Sequence, residues 1–191
     1  MTRAVGKIFP CWGIGLGRTG TTSLCEALKI LGYRRVVQNP RFEQLRNLGG
    51  GADLGVVVFY KYLDFKFPGS RFVLTLRPLE DWLGSTRYIF GKCPATARED
   101  IAVMRRMAIF ETVTYDRRRM IAAFRRHNND VRRYFRNRPQ DLLELNIVAG
   151  EGWEKLCPFL GTPLPAQPFP HTNARGTESE MPKRAAATPG R

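Results

Sequence analysis

The chain has 191 residues, 43% of them hydrophobic, which is enough for one domain with a proper core. Its formal charge is +14, so anionic ligands or surfaces are in view, yet no DNA- or RNA-binding motif accompanies that charge. Cys11, Cys25, Cys93 and Cys157 show neither C-x-x-C nor zinc-type spacing, which argues against a metal site or a disulfide framework and for buried thiols in a reducing compartment.

The predicted elements alternate strand and helix. Residues 7–14 read as a first strand, followed by a glycine-rich turn and a helix over 21–31. Residues 35–38 form a short second strand, 40–48 a helix, and Gly49-Gly50-Gly51 a flexible turn. The apolar run 56–63 is helix or strand, since periodicity alone does not separate the two. Pro68-Gly69-Ser70 is a turn before a strand over 71–76, and 82–90 continues as a helix. Residues 97–135 carry apolar positions at helical spacing, predicting two helices broken near Asn128-Asn129. A strand over 142–148 and a helix over 153–160 complete an α/β pattern. Residues 1–173 are expected to be one domain and 174–191, poor in large apolar groups, a disordered tail. With no long apolar segment anywhere, a soluble, cytoplasmic protein without a membrane span is expected.

The first strand and helix flank a loop suited to an anion. Gly13, Gly15, Gly17 and Gly20 let the backbone turn tightly and approach a ligand, with its N–H groups and the next helix N-terminus aimed at negative charge. Gly15, Gly17 and Gly20 satisfy the dinucleotide pattern G-x-G-x-x-G, but the second strand ends Arg34-Arg35-Val36-Val37-Gln38 where a ribose-binding acid would stand. An arginine there leaves a 2′-phosphorylated dinucleotide open. Gly15 to Thr22 also spells a Walker A loop, with Thr21 in the lysine position and Arg18 inside the loop. The strand over 71–76 ends in Arg77 rather than a magnesium-holding aspartate, which points away from metal-assisted ATP chemistry.

The segment Gly17-Arg18-Thr19-Gly20-Thr21-Thr22-Ser23 resembles the 5′-phosphosulfate loop of P-loop sulfotransferases. The stretch from Leu74 to Ser85, with Arg77 at the strand end and Ser85 eight residues later, resembles that family's 3′-phosphate element. Residues 150–161 and Phe169-Pro170-His171-Thr172-Asn173 are similar to the closing segment of its bacterial and fungal branch. The resemblance implies a three-layer P-loop NTPase-like α/β fold with a central parallel sheet flanked by helices. It further implies 3′-phosphoadenosine 5′-phosphosulfate (PAPS) as donor, the bisphosphate PAP as product, and in-line, metal-free sulfuryl transfer to a hydroxyl or amine of a small-molecule or carbohydrate acceptor. In that reading Gly17, Thr19, Gly20, Thr21, Thr22 and Ser23 bind the 5′ end. Arg18 lies over the bridging oxygen where charge develops, and Arg77 with Ser85 grips the 3′-phosphate.

The acceptor must lose a proton, so a base is required. Asp53 is the leading candidate, following the glycine run in the region where related enzymes place acceptor-side residues. The related branch reads Asp-x-Pro there, whereas this chain has Asp53-Leu54-Gly55, and Asp53 read as a helix N-cap is the competing account. His127, on a basic helix, His171, Glu43 and Asp64 are weaker candidates, and Thr75 reads as a plain strand residue. Arg175-Gly176 is a two-residue counterpart of an Arg-Lys-Gly segment that covers the nucleotide in cytosolic relatives. Arg105-Arg106, Arg117-Arg118-Arg119, Arg125-Arg126 and Arg132-Arg133 read as a solvated face; a basic helix that binds nucleic acid or an anionic membrane surface is the competing account, and a field that draws in an anionic donor or an acidic acceptor is a third. The alternative is a phosphate- or nucleotide-binding protein without transfer activity, either an ATP-dependent kinase relative or a basic nucleic-acid-binding module.

Overall fold

The computed structural model describes residues 9–94 and 99–172. Five parallel strands, β1 (Cys11–Gly13), β2 (Val36–Gln38), β3 (Gly50–Ala52), β4 (Arg71–Thr75) and β5 (Leu142–Leu145), form one sheet in the order β2-β3-β1-β4-β5. The helices are α1 (Thr21–Ile30), α2 (Leu54–Val57), α3 (Tyr60–Lys66), α4 (Leu79–Lys92), α5 (Asp100–Phe110), α6 (Arg117–Phe135) and α7 (Trp153–Leu160).

The alternation of side chains along the strands builds the layers. Cys11 and Val73 join Leu24, Leu28, Leu156 and Cys157 in a core under α1 and α7. Trp12, Ile14, Phe72 and Leu74 face the opposite way and pack on Val56, Tyr60, Val131 and Phe135 of α2, α3 and α6. A third cluster around Trp82, Leu83, Phe110 and Met120 knits α4, α5 and α6 together. The fold is therefore the expected three-layer α/β arrangement. The chain adds β3 on one side of β1 and β4 on the other, which opens a crevice beyond the carboxyl end of β1, where such sheets bind ligands.

Three expectations are corrected. The glycine run is not a flexible turn: Gly50–Ala52 is strand β3, paired with both β1 and β2. Propensity hides it because glycine disfavours strands, but here close approach requires it. A Cβ on Gly50 would lie 2.7 Å from the Cys11 carbonyl oxygen. The break in the long helical stretch falls between Phe110 and Arg117, where Glu111 takes a left-handed conformation (φ 57) and Asp116 caps α6 by accepting from the Arg119 N–H at 2.9 Å. Asn128 lies buried inside α6 instead. Arg105 and Arg106 do not belong to a solvated face, being only 5% and 4% exposed. Arg106 donates to the carbonyls of Val113 (3.1 Å) and Cys93 (3.0 Å) and stacks on Phe90, while Arg105 reaches toward the end of β2. Arg118 and Arg125 of α6 are exposed as expected.

The run 56–63 resolves into the end of α2 and the start of α3, and 40–48 holds a 3₁₀ helix, Phe42–Asn47, rather than an α-helix. All four cysteines are free thiols, three of them buried, and burial pushes the Cys25 thiol up to about 12. The predicted disordered tail and Arg175-Gly176 lie outside the described residues.

Candidate active site

The loop between β1 and α1 is shaped by what its carbonyls do. The Ile14 carbonyl meets His127 Nε2 at 2.7 Å, the Leu16 carbonyl accepts from Thr19 Oγ1 at 2.6 Å, the Gly17 carbonyl from Trp82 Nε1 at 2.9 Å, and the Arg18 carbonyl from Arg77 Nη1 at 3.1 Å. With these four oxygens drawn into the protein, the course of the loop backbone is fixed. Arg18 (φ 76) and Gly20 (φ 99) both take the left-handed conformation that an anion-binding nest needs. Gly20 starts α1 with no side-chain cap, and no acidic residue occupies its first turn.

The second segment closes on this loop. Arg18 Nε donates to Ser85 Oγ at 3.0 Å, although 67 positions separate them, and Arg77 holds the Arg18 carbonyl from the carboxyl end of β4. The three residues therefore stand together at one end of the sheet. Thr75 is more than a strand residue: its hydroxyl shares a 2.5 Å hydrogen bond with that of Thr19, stapling the loop to β4. Thr19 is correspondingly buried, with its hydroxyl engaged by the Leu16 carbonyl and Thr75.

Asp53 ends β3 against the same loop. A Cβ added to Gly17 would lie 2.9 Å from Asp53 Oδ1. The N-cap account holds geometrically: Oδ1 accepts from the Leu54 N–H at 2.7 Å, capping α2, while Oδ2 accepts from Gln38 Nε2 at 3.2 Å and from Thr21 Oγ1 at 3.4 Å. Its backbone (φ 80, ψ −175) sits in a region essentially reserved for glycine. A non-glycine residue there costs about 1–3 kcal/mol, a strain that concentrates at functional sites.

Thr22 Oγ1 accepts from Gln38 at 2.7 Å, also at this end of the sheet. Ser23 is turned elsewhere: its hydroxyl receives the Thr172 N–H at 3.0 Å and lies 3.2 Å from Thr172 Oγ1, tying the closing segment to α1.

The other base candidates are engaged or apart. Asp64 is held by Arg138 through two hydrogen bonds, at 3.0 and 2.7 Å, and by Tyr134 at 2.6 Å. Burial alone would raise its carboxyl, but these donors outweigh it and hold the group below its usual value. Glu43 is exposed on the 3₁₀ helix, and His171 is exposed beside Phe169.

His127 supports the loop from beneath. Burial lowers its pKa, against the opposing pull of the Ile14 carbonyl, so the folded protein keeps the ring neutral with Nε2–H donating. The unfolded chain takes up a proton near pH 6.5, so stability is fully present above that pH and falls as the pH drops below it. Wild type is therefore expected to lose more melting temperature between pH 7.5 and 5.5 than His127→Gln, as read by thermal denaturation; parallel losses would refute this.

Gln38, Trp82, Thr75 and Arg105 were not singled out from sequence as parts of this site. Trp82 stands in sequence only as the first residue of the helix over 82–90, and its part in the loop is visible in the Nε1–H aimed at the Gly17 carbonyl.

The family model described as the sulfotransferase domain matches residues 11–47 and 42–177, which takes in the loop, Asp53, Arg77 and Ser85. The chain belongs to the sulfotransferase family. No curated protein gives a significant match. As a sulfotransferase, the protein is a transferase enzyme. Among the described residues no group of three or more His, Cys, Asp or Glu side chains is placed to hold a metal ion, and no helix is long and apolar enough to cross a membrane.

Proposed function

We propose that this sulfotransferase takes its sulfuryl group from PAPS and passes it to a hydroxyl or amine of a small-molecule or carbohydrate acceptor. The observation that carries the reading is the contact of Arg18 with Ser85 at 3.0 Å, which joins an anion loop on an uncapped helix to the Arg77–Ser85 pair. A donor charged at two ends needs two neighbouring cradles, and these residues supply them. Gly17 to Thr22 and the α1 dipole receive the 5′ end, and Arg77 and Ser85 the 3′-phosphate. Ser23 acts in this reading through the helix end rather than its hydroxyl.

The step is an in-line displacement. Asp53 takes the acceptor proton as the acceptor oxygen or nitrogen bonds to sulfur; the sulfur–oxygen bond to the 5′-phosphate breaks, and its electron pair stays on the phosphate oxygen of PAP. Arg18 stabilises the charge that develops on that bridging oxygen. The positive charge required is carried by Arg18, Arg77 and the helix end, so the proposed step calls on no metal. A soluble, cytoplasmic enzyme suits a nucleotide donor of this kind.

Thermal denaturation with nucleotides tests the donor. PAP without magnesium, at a hundred times its dissociation constant, should raise the melting temperature by about 5–10 °C. ATP with magnesium should have little effect. The reverse pattern would overturn the reading in favour of an ATP-dependent relative.

A further inference from the structure

Position 38 closes β2, where a dinucleotide-binding chain would carry a ribose-binding acid. The residue is Gln38, and its amide turns back across the end of the sheet, donating to Thr22 Oγ1 at 2.7 Å and to Asp53 Oδ2 at 3.2 Å. It is exposed, so its hold on Asp53 is not a by-product of core packing.

The next residue acts on the Asp53 backbone. Asn39, itself left-handed at φ 53, accepts the Gly55 N–H on its side-chain oxygen at 3.0 Å. The same oxygen receives Arg105 Nη1 at 2.9 Å, and Arg105 also donates to the Pro40 carbonyl. Arg105 comes from α5 and is buried, so a charged side chain has been drawn out of solvent to hold this one corner.

This arrangement gives a physical meaning to the departure from Asp-x-Pro. A proline at 55 would have no N–H for Asn39, and a Cβ there would lie 2.2 Å from the Pro40 oxygen. Gly55, Asn39 and Arg105 thus form one hydrogen-bonded unit, a brace that a proline at 55 would break.

We propose that Gln38 and Asn39, the latter anchored by Arg105, are positioning residues for Asp53. Gln38 orients the carboxylate oxygen that faces the loop, and Asn39 fixes the strained turn that presents it. The inference rests on Asp53 being the base, and the experiment separates the two. Gln38→Ala, Gln38→Glu and Asn39→Ala are made with Asp53 intact and with Asp53→Asn. Conversion of PAPS to PAP and sulfate, with water as acceptor, gives kcat and the donor KM, and the melting-temperature shift by PAP reports the donor site.

With Asp53 intact, each variant should lose about tenfold or more in kcat with donor KM and PAP shift unchanged, because misplacing a reacting group by an ångström costs up to about a hundredfold. Gln38→Glu keeps size and shape but accepts where the amide donates, so a merely structural role would leave it active. In the Asp53→Asn background the same changes should cost nothing further. If Asn39→Ala fails to fold, the exposed Gln38 variants carry the test. Full turnover in Gln38→Glu, in a protein that Asp53→Asn inactivates, overturns the brace and leaves the base standing. Full turnover in Asp53→Asn, or a wild type that binds PAP yet never consumes PAPS, overturns both.

Discussion

Asp53→Asn is expected to lower the rate of sulfuryl transfer by about 10²–10⁴-fold, the range a general base supplies, while leaving PAP binding intact. The substitution is nearly isosteric and preserves the oxygen that caps α2 through the Leu54 N–H. Asparagine and aspartate are close to equivalent as N-caps, so a loss of activity would not be a loss of fold. The change removes a proton acceptor beside the loop that holds Gly17 and Thr21. Steady-state kinetics and the PAP-induced melting shift, measured on one preparation, separate the outcomes. Full activity would eliminate Asp53 as the base and leave it the α2 cap alone.

The second large effect concerns the arginines. Arg77→Ala should weaken PAP binding by about 10–100-fold, corresponding to the roughly 1.5–3 kcal/mol of a hydrogen bond to a charged group. Arg18→Ala should act mainly on kcat, by about 10²–10³-fold, because its charge is useful where the bridging oxygen gains charge. The two sites are physically joined, since Arg77 Nη1 holds the Arg18 carbonyl and Arg18 Nε holds Ser85. Arg77→Ala is therefore expected also to slow turnover, and the double variant to lose less than the sum of the single losses. Calorimetric titration with PAP together with kcat measurements tests this; strictly additive losses would mean that the two cradles work independently.

Much of the fold was legible because it is local. β1, the glycine loop and α1 follow each other within residues 11–30, and hydrophobic spacing, left-handed glycine and helix start all appear in one stretch of chain. The Arg77 to Ser85 element is similarly compact, a strand end and the helix after it. By contrast, Gly50–Ala52 reads as a turn in sequence because its three residues carry no strand propensity, and their role as β3 follows from the neighbouring strands. Arg105 reads in sequence as one member of a solvated arginine face because a helix sequence does not say which arginine meets the oxygens of Asn39 and Pro40 at the end of β2.

The sequence by itself determined that a glycine-rich loop joins the first strand to the first helix, that an arginine and a serine follow on a later strand and helix, and that the loop lacks the lysine of ATP enzymes. These are properties of residues next to each other, where backbone conformation and side-chain type act together. Only the tertiary structure decided that Arg18 meets Ser85, that Trp82 and His127 turn the loop carbonyls inward, and that Gln38 and Asn39 grip the Asp53 turn. Those contacts join residues 15 to 113 positions apart, and hydrogen bonds of that span exist only once packing of the apolar faces has brought the strand ends to one edge.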